Sequence, residues 1–592
     1  MKRLLTTLSL SVAIALSSCS SEAEPQGLEF IFDGVHDTPM EGATITKYND
    51  PAFLIESGYN GMTPHWHVQC GLTYDSFEKG IIPEGSAERE WILNKQKEVR
   101  QLLKEAKDKG IKVYPFIDIC VLPTIIIEKY QDEIVRSDHS GVGVLHGKMA
   151  PDINKPLTQK LIRAQISEIF ETYPELDGLV TRVGETYLFD TPYHSGGSPV
   201  GVSGEQGRVD GHIELLKMFR DEICVNRDKM LFYRTWDFMF LHTRKDIFER
   251  VTSQIEPHKN LCFSIKYSEG DFHRLTRFNP TIGVGDHGYI IEFQCQPEYY
   301  GKGAHPVNVF SGMLNGFTEY EQNMKGEHPY RSVSDLKKDP KFRGLWSWSR
   351  GGGWRGPFLE NELWCDVNAQ AMTTWARDTT LTESEVLHRS LARMGVKSGS
   401  VEPFIEMIHK ADDGVVKGQC SLIDVGEYYF KTNWARDQYV GGEGDLSQFM
   451  NYIVDNNKGE QMLAEKDEAV EIWREIEALS RQIEMNSAED EEFVRISASY
   501  GRIKYELFRE IFRIYYYAKL EQKRGVKESE KMRAAIANYD ALWSDWQTLV
   551  DSSPQSATIY EPNAFKLGDM VTGVTGNENT GVAASVDKYR SW

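Results

Sequence analysis

From about residue 28 to 355 the chain alternates short runs of β-branched and aromatic residues with longer stretches whose apolar residues recur at helical spacing. The runs are LEFIFDGVHD from 28, GYNGMTPHWHV from 58, IKVYPFIDICV from 111, LDGLVTRVGE from 176, KMLFYRTWDF from 229, NLCFSIKYSEGDF from 260, GYIIEFQCQPEYYG from 288 and FRGLWSWSRGGGW from 342. Between them lie amphipathic segments such as EREWILNKQKEVRQLLKEAKDKG and LTQKLIRAQISEIFETYPE. Strand–helix alternation predicts parallel pairing with right-handed crossovers. Eight such units predict a (β/α)8 TIM barrel of the α/β class. The alternative, an open doubly wound sheet, lacks its marker, because no GxGxxG opens a helix after the first run. After 355 the pattern becomes helical, and LTESEVLHRSLARMG carries a capping box at Thr382 and Glu385. The reading is a barrel over 28–360, an all-α C-terminal domain over 361–551, and a Gly-, Asn-, Ser- and Thr-rich tail over 552–592, extended or poorly ordered.

Every run starts apolar and ends polar or aromatic. The ends carry His65 and His67; Asp118; Arg182 and Glu185; Arg234 and Trp236; Lys266 and Asp271; Glu298; Trp346 and Trp348. In a barrel of parallel strands these ends converge on one mouth, where chemistry is done. Paired carboxylates there suit glycoside hydrolysis: one carboxyl protonates the leaving oxygen, the other attacks the sugar or activates water. Glu185, Asp271 and Glu298 are the candidate catalytic carboxylates. Each reads equally well, taken alone, as a solvated loop acid. Arg234 and Lys266, ending adjacent runs, are placed to hold a substrate carboxylate or else to pair with the acids. His65 and His67 form an HxH whose rings point to one face. They offer sugar-hydroxyl contacts, alongside Trp236, Trp348 and Arg182. Glu292, inside its run, is expected to orient Lys266 or a sugar hydroxyl.

Composition narrows the partners. A formal charge of −21 argues against nucleic acid and anionic membrane surfaces. The 13 Trp, 27 Tyr and 27 Phe supply rings for a core and for sugar stacking. At the N-terminus, Lys2 and Arg3 precede a short apolar run and then Leu16-Ser-Ser-Cys19. This predicts a lipoprotein signal peptide over 1–18, lipid on Cys19 and a tether over 19–27. Ser20 favours the bacterial outer membrane, on its periplasmic or its surface face. Beyond Cys19, the cysteines show no CxxC spacing, so no disulfide framework is expected.

The motifs together resemble glycoside hydrolase family 67, the α-glucuronidases, most strongly over about 229–395. EFQCQPEYYG from Glu292 resembles the family's seventh-strand E-L-Q-x-T-Q-E-Y-x-G, and SIKYSEGDF resembles its Q-x-K-N-G-x-x-D-F. Arg234 in FYRTWDF matches W-R-x-F, and DVNAQAMTTWARDTTLTESEV resembles the start of the family's helical domain. The chain departs from the pattern at Thr181, where the family has Lys, and at Gln296 and Pro297, where it has Thr-Gln. The resemblance implies a distant relative without the family's N-terminal accessory domain. It implies an inverting, exo-acting enzyme that releases a terminal uronic acid from an oligosaccharide. Glu185 would be the general acid, Asp271 and Glu298 would activate water, and Lys266 and Arg234 would bind the uronate. The alternatives are a related barrel glycosidase on a neutral or sulfated sugar, and a non-catalytic carbohydrate-binding lipoprotein. Oligosaccharides are the expected partners, and pairing into a homodimer is left open.

A metal-dependent amidohydrolase would use HxH as ligands, but on its first strand and with further histidines at later strand ends. Here HxH lies on the second run, and the ends of the fifth and sixth offer no histidine. No metal and no cofactor are expected. Hydrolytic activity should therefore survive dialysis against EDTA; loss that zinc or calcium restores would favour the amidohydrolase reading.

Overall fold

The structure is a computed structural model. It describes residues 27–35, 46–136, 150–183, 186, 188, 191–200, 204–237, 240–270, 272, 274–297, 300–319, 329–350, 359–425, 435–436, 439–440, 443–558 and 586–592. Each of the eight runs contributes to one parallel sheet. Its strands are β1 (Phe30–Asp33), β2 (Gly61–Met62), β3 (Lys112–Val113), β4 (Phe116–Asp118), β5 (Gly178–Arg182), β6 (Met230–Arg234), β7 (Leu261–Lys266), β8 (Gly288–Gln294) and β9 (Phe342–Trp348). They pair in the order β3-β2-β1-β9-β8-β7-β6-β5-β4. The two edges, β3 and β4, are halves of a single run interrupted at Tyr114–Pro115. That run bonds to both sides: Tyr114 N–H donates to the Met62 carbonyl, and Pro115's carbonyl accepts from Val180 N–H. The sheet thus closes on itself as a barrel with a helical C-terminal region, the predicted fold class.

Helices fill most crossovers: α1 (Pro51–Glu56), α2 (Ala87–Asp108), α3 (Pro156–Thr172), α4 (Gly204–Phe219), α5 (Lys245–Thr252), α6 (Phe310–Asn315) and α7 (Leu363–Arg377). Ser86 caps α2 by accepting from Arg89 N–H, and its buried Ile92, Val99, Leu103 and Ala106 form one stripe. Between β7 and β8 there is no helix among the described residues; the chain instead folds back through a Ser268–Phe278 bridge. Beyond α7 come α8 (Glu383–Arg393), α9 (Val401–Gln419), α10 (Glu443–Asp455), α11 (Gly459–Ser480), the 37-residue α12 (Ala488–Arg524) and α13 (Ser529–Ser552). The Thr382–Glu385 capping box forms as expected. No described helix is long and apolar enough to cross a membrane. Cys70, Cys120, Cys224, Cys262, Cys295, Cys365 and Cys420 are buried free thiols.

Strand periodicity sorts the side chains. In β1, β4 and β6 to β9 the even-numbered positions gather inside the barrel. Phe30, Phe32, Tyr114 and Phe232 form an aromatic floor, with ring centroids 4.8 to 6.5 Å apart. Gly61 lets Phe32 in: a Cβ there would stand 2.6 Å from the Phe32 ring. The upper half of the barrel turns polar.

Odd-numbered Asp33 serves the opposite face. It is buried, and it accepts from the hydroxyls of Ser347 and Ser349 at 2.6 Å each. Burial pushes its carboxyl up to about 7, against the pull of those two serines. In the unfolded chain it ionises near the ordinary 3.8. Its contribution to stability is therefore full below that value and is lost as pH rises through about 7. Between pH 5 and pH 8 the native protein should lose about 3 kcal/mol more than Asp33→Asn does, measured as the shift in urea unfolding free energy. Equal losses in the two proteins would remove Asp33 as the source.

Candidate active site

The inward positions nearest the strands' C-terminal ends carry Phe116 and Asp118 on β4, Arg182 on β5, Arg234 on β6, Ser264 and Lys266 on β7, Glu292 and Gln294 on β8, and Trp346 and Trp348 on β9. Parity puts them on one face, and register decides which of them meet.

Glu292 is fully buried. Arg234 Nε donates to both of its carboxylate oxygens at 2.9 Å. Ser264 Oγ donates to Oε1 at 3.0 Å, and Trp348 Nε1 to Oε2 at 3.2 Å. Ser264 lies on the intervening strand, where it is the register partner of Arg234. The guanidinium is 5.0 Å from the Trp348 ring centroid, 5.6 Å from Phe116 and 5.8 Å from Trp346. The two tryptophans stack on each other at 4.5 Å.

A second buried pair joins β4 to β5. Asp118 and Arg182 are register partners, linked through Arg182 Nε and through Nη2 at 2.8 Å. Burial alone would raise the Asp118 carboxyl, but the Arg182 guanidinium, helped by His65, holds it well below the carboxylate range. His65 Nε2 stands 3.8 Å from Asp118 Oδ2. The His65 and His67 rings are 4.3 Å apart, and His67 takes the left-handed φ of 50°. Burial, then the His65 ring, push the His67 imidazole well below its ordinary value, so it is neutral at pH 7. His65 Nε2 and His67 Nδ1 are buried without a hydrogen-bond partner.

Lys266 is the register partner of Glu292. Its ammonium lies 3.7 Å from the Trp236 ring centroid and 4.6 Å from that of Phe272. Trp236 packs edge-on against His242 at 5.0 Å. Burial, then Lys266, push that histidine down to about 3. Lys266 thus ends β7 with its ammonium buried among aromatic rings.

The described candidates therefore come together: Arg182, Arg234, Lys266, His65, His67, Trp236, Trp348 and Glu292 share the C-terminal end of the barrel. Two of them have partners other than those expected. Arg234 meets an internal carboxylate, because Glu292 occupies its Nε. Glu292 orients Arg234, while Ser264 and Trp348 saturate its remaining lone pairs. Glu185, Asp271 and Glu298 lie outside the described residues, as does Cys19. Phe116, Ser264, Gln294 and Phe272 were not singled out from the sequence; Phe116, Ser264 and Gln294 each stand two positions from a residue that was, which is the signal period-two parity offers. No group of three His, Cys, Asp or Glu able to hold a metal occurs among the described residues.

No protein-family model matches the chain, and no curated protein matches it. Solved structures do. A GH138 enzyme targeting pectin rhamnogalacturonan II is 11% identical, with 95% of this chain and 67% of that chain covered at a TM-score of 0.55. A family 89 glycoside hydrolase from Clostridium perfringens is 9% identical, over 94% of this chain and 67% of that one, at 0.42. The Thermobaculum terrenum O-GlcNAc hydrolase is 8% identical, over 95% and 96%, at 0.37. These neighbours are glycoside hydrolases. The first shares the fold; the other two are too distant in TM-score to bear on the site. At such identities no side-chain role carries over, and the family 67 resemblance stands on its motifs alone.

Removing one partner from a buried ion pair leaves the other charge uncompensated. Glu292→Gln keeps the shape but strands the Arg234 guanidinium, and should cost about 3–5 kcal/mol in urea unfolding. Adding Arg234→Met to it should recover much of that loss. If the double variant is as unstable as the sum of the singles, the two residues are not coupled.

Proposed function

We propose that the protein is a glycoside hydrolase that releases a terminal uronic acid from an oligosaccharide with inversion at the anomeric carbon. The observation that carries this reading is Lys266: a cation held 3.7 Å over Trp236 at the mouth of a barrel whose structural neighbours are glycoside hydrolases. A cation beside aromatic faces suits a sugar with a carboxylate at one edge and apolar C–H groups on its face. The two Nη atoms of Arg234, which bond no described residue, extend the same positive surface.

In this reading the family 67 resemblance supplies the chemistry. Glu185 protonates the leaving oxygen, and Asp271 with Glu298 orients and deprotonates water. An inverting pair stands roughly 6.5–9.5 Å apart to leave room for that water. His65 and His67 offer unpartnered buried nitrogens to sugar hydroxyls. A lipid on Cys19 would tether the enzyme to the outer membrane beside polysaccharide fragments. Because the GH138 neighbour targets pectin rhamnogalacturonan II, pectin fragments form the first substrate set to test.

One observation favours a second reading. Glu292 already neutralises Arg234, so less positive charge is left for a substrate, as a neutral or sulfated sugar would require. The experiment that separates the two readings is a screen of released monosaccharides over uronate-bearing, neutral and sulfated oligosaccharides. Release of uronic acid alone is expected; release of neutral sugar alone would overturn the uronide reading.

The acid and base roles part by leaving group. Glu185→Ala should slow natural substrates by about 10²–10⁴-fold and largely spare a nitrophenyl glycoside, whose leaving group needs little protonation. Glu298→Gln should slow both kinds alike, because water attack is common to them. The reverse pattern would exchange the two assignments.

A further inference from the structure

The excursion between β7 and β8 is zipped at its neck. Asn279 N–H donates to the Tyr267 carbonyl, Glu269 N–H to the Arg277 carbonyl, and Ser268 bridges Phe278. Within it, Arg274 is buried and reaches three other parts of the molecule. Its backbone N–H donates to the Tyr300 hydroxyl, in the loop that follows β8. Its Nε donates to Glu319, itself buried. Its Nη1 donates to the Asp412 carbonyl at 2.7 Å, and Nη2 faces Asp413 at 3.5 Å, both on α9 of the helical region. The guanidinium also stacks on Phe317, 4.4 Å from its centroid. Asn308 Nδ2 reaches Asp412 Oδ2 at 3.4 Å. A cavity of about 10 Å³, room for about one water, adjoins this cluster, lined by Tyr267, Arg274, Tyr300, Asn308, Phe317 and Asp412 among others. The network thus joins the two loops to the helical region beside the packing of Tyr267 on Phe272 and of Arg274 on Phe317.

We propose that Arg274 is a positioning residue for the hydrolytic reaction: with Tyr300 and α9 it fixes the loop carrying Asp271 against the loop carrying Glu298. The inference rests on the reading that those two carboxylates activate water. Its physical basis is leverage. Asp271 precedes Arg274 by three residues in the sequence, and Glu298 precedes Tyr300 by two. One hydrogen bond between Arg274 and Tyr300 therefore constrains both acids, and the guanidinium ties that bond to a rigid helix. Misplacing a catalytic group by about 1 Å costs on the order of a hundredfold in rate.

Tyr300→Phe removes one hydroxyl and leaves the ring packing. In hydrogen–deuterium exchange of the full chain, it should speed exchange in peptides spanning 268–278, a loop that does not contain the altered residue. It should also lower kcat by about ten- to a hundredfold with KM within about twofold. Arg274→Lys, which keeps the charge but loses the fork to Glu319 and Asp412, should show the same split. Unchanged exchange over 268–278 overturns the network. Faster exchange with unchanged kcat overturns the positioning role and leaves a structural one. Failure of the underlying reading looks different: turnover would survive Asp271→Asn and Glu298→Gln in an otherwise native protein.

Discussion

Glu292 sits inside the barrel with no exposure to water, and Arg234 is within hydrogen-bond distance beside it, roofed by Trp346, Trp348 and Phe116. Neither charge is tolerable there alone, since desolvating an isolated ion costs several kcal/mol. Each must keep its partner, and both must keep Ser264 and the Trp348 indole, which satisfy the remaining lone pairs. Four strands, β6 to β9, are thereby locked in register through side chains as well as backbone. The aromatic floor of Phe30, Phe32, Tyr114 and Phe232 supplies the apolar base on which this polar storey stands. Asp118 and Arg182 repeat the device between β4 and β5. Buried pairs of this kind contribute little net stability but penalise any other strand alignment heavily.

The same constraint shapes the mouth. With Arg234 engaged by Glu292, Lys266 ends the neighbouring strand, its ammonium set over Trp236 and Phe272. The helical region then braces the loops around it. Arg274 spans to α9, and His305 packs on Trp473 and Tyr505 at 4.8 and 5.4 Å. Trp364 Nε1 donates to Ser497 on α12 at 3.0 Å. The C-terminal helices are thus part of what shapes the site, although they contribute none of the candidate catalytic groups.

Much of the barrel was legible in the sequence because period-two runs and helical stretches alternate plainly. Two features were not. The third run divides at Pro115, which lacks the N–H a continuous ladder needs, and its halves meet different neighbours. The sixth crossover has no described helix, as its Gly- and Pro-punctuated sequence foreshadows. At the site, residue identities could be read but partners could not. That Asp118 meets Arg182, or that Glu292 meets Arg234 rather than Lys266, depends on lateral register between strands some sixty residues apart, which no local pattern encodes. Glu185, Asp271 and Glu298 rest on the strand-end pattern and the family 67 resemblance, being outside the described residues.

The central claim is that this mouth turns over a uronide by single displacement with water. It is tested most directly by following the anomeric proton of the released sugar by NMR during the first minutes of hydrolysis, before mutarotation. The account predicts that the first product is a uronic acid of anomeric configuration opposite to the substrate's. A product that retains the substrate's configuration would require a covalent glycosyl intermediate, and would contradict the water-activating roles given to Asp271 and Glu298.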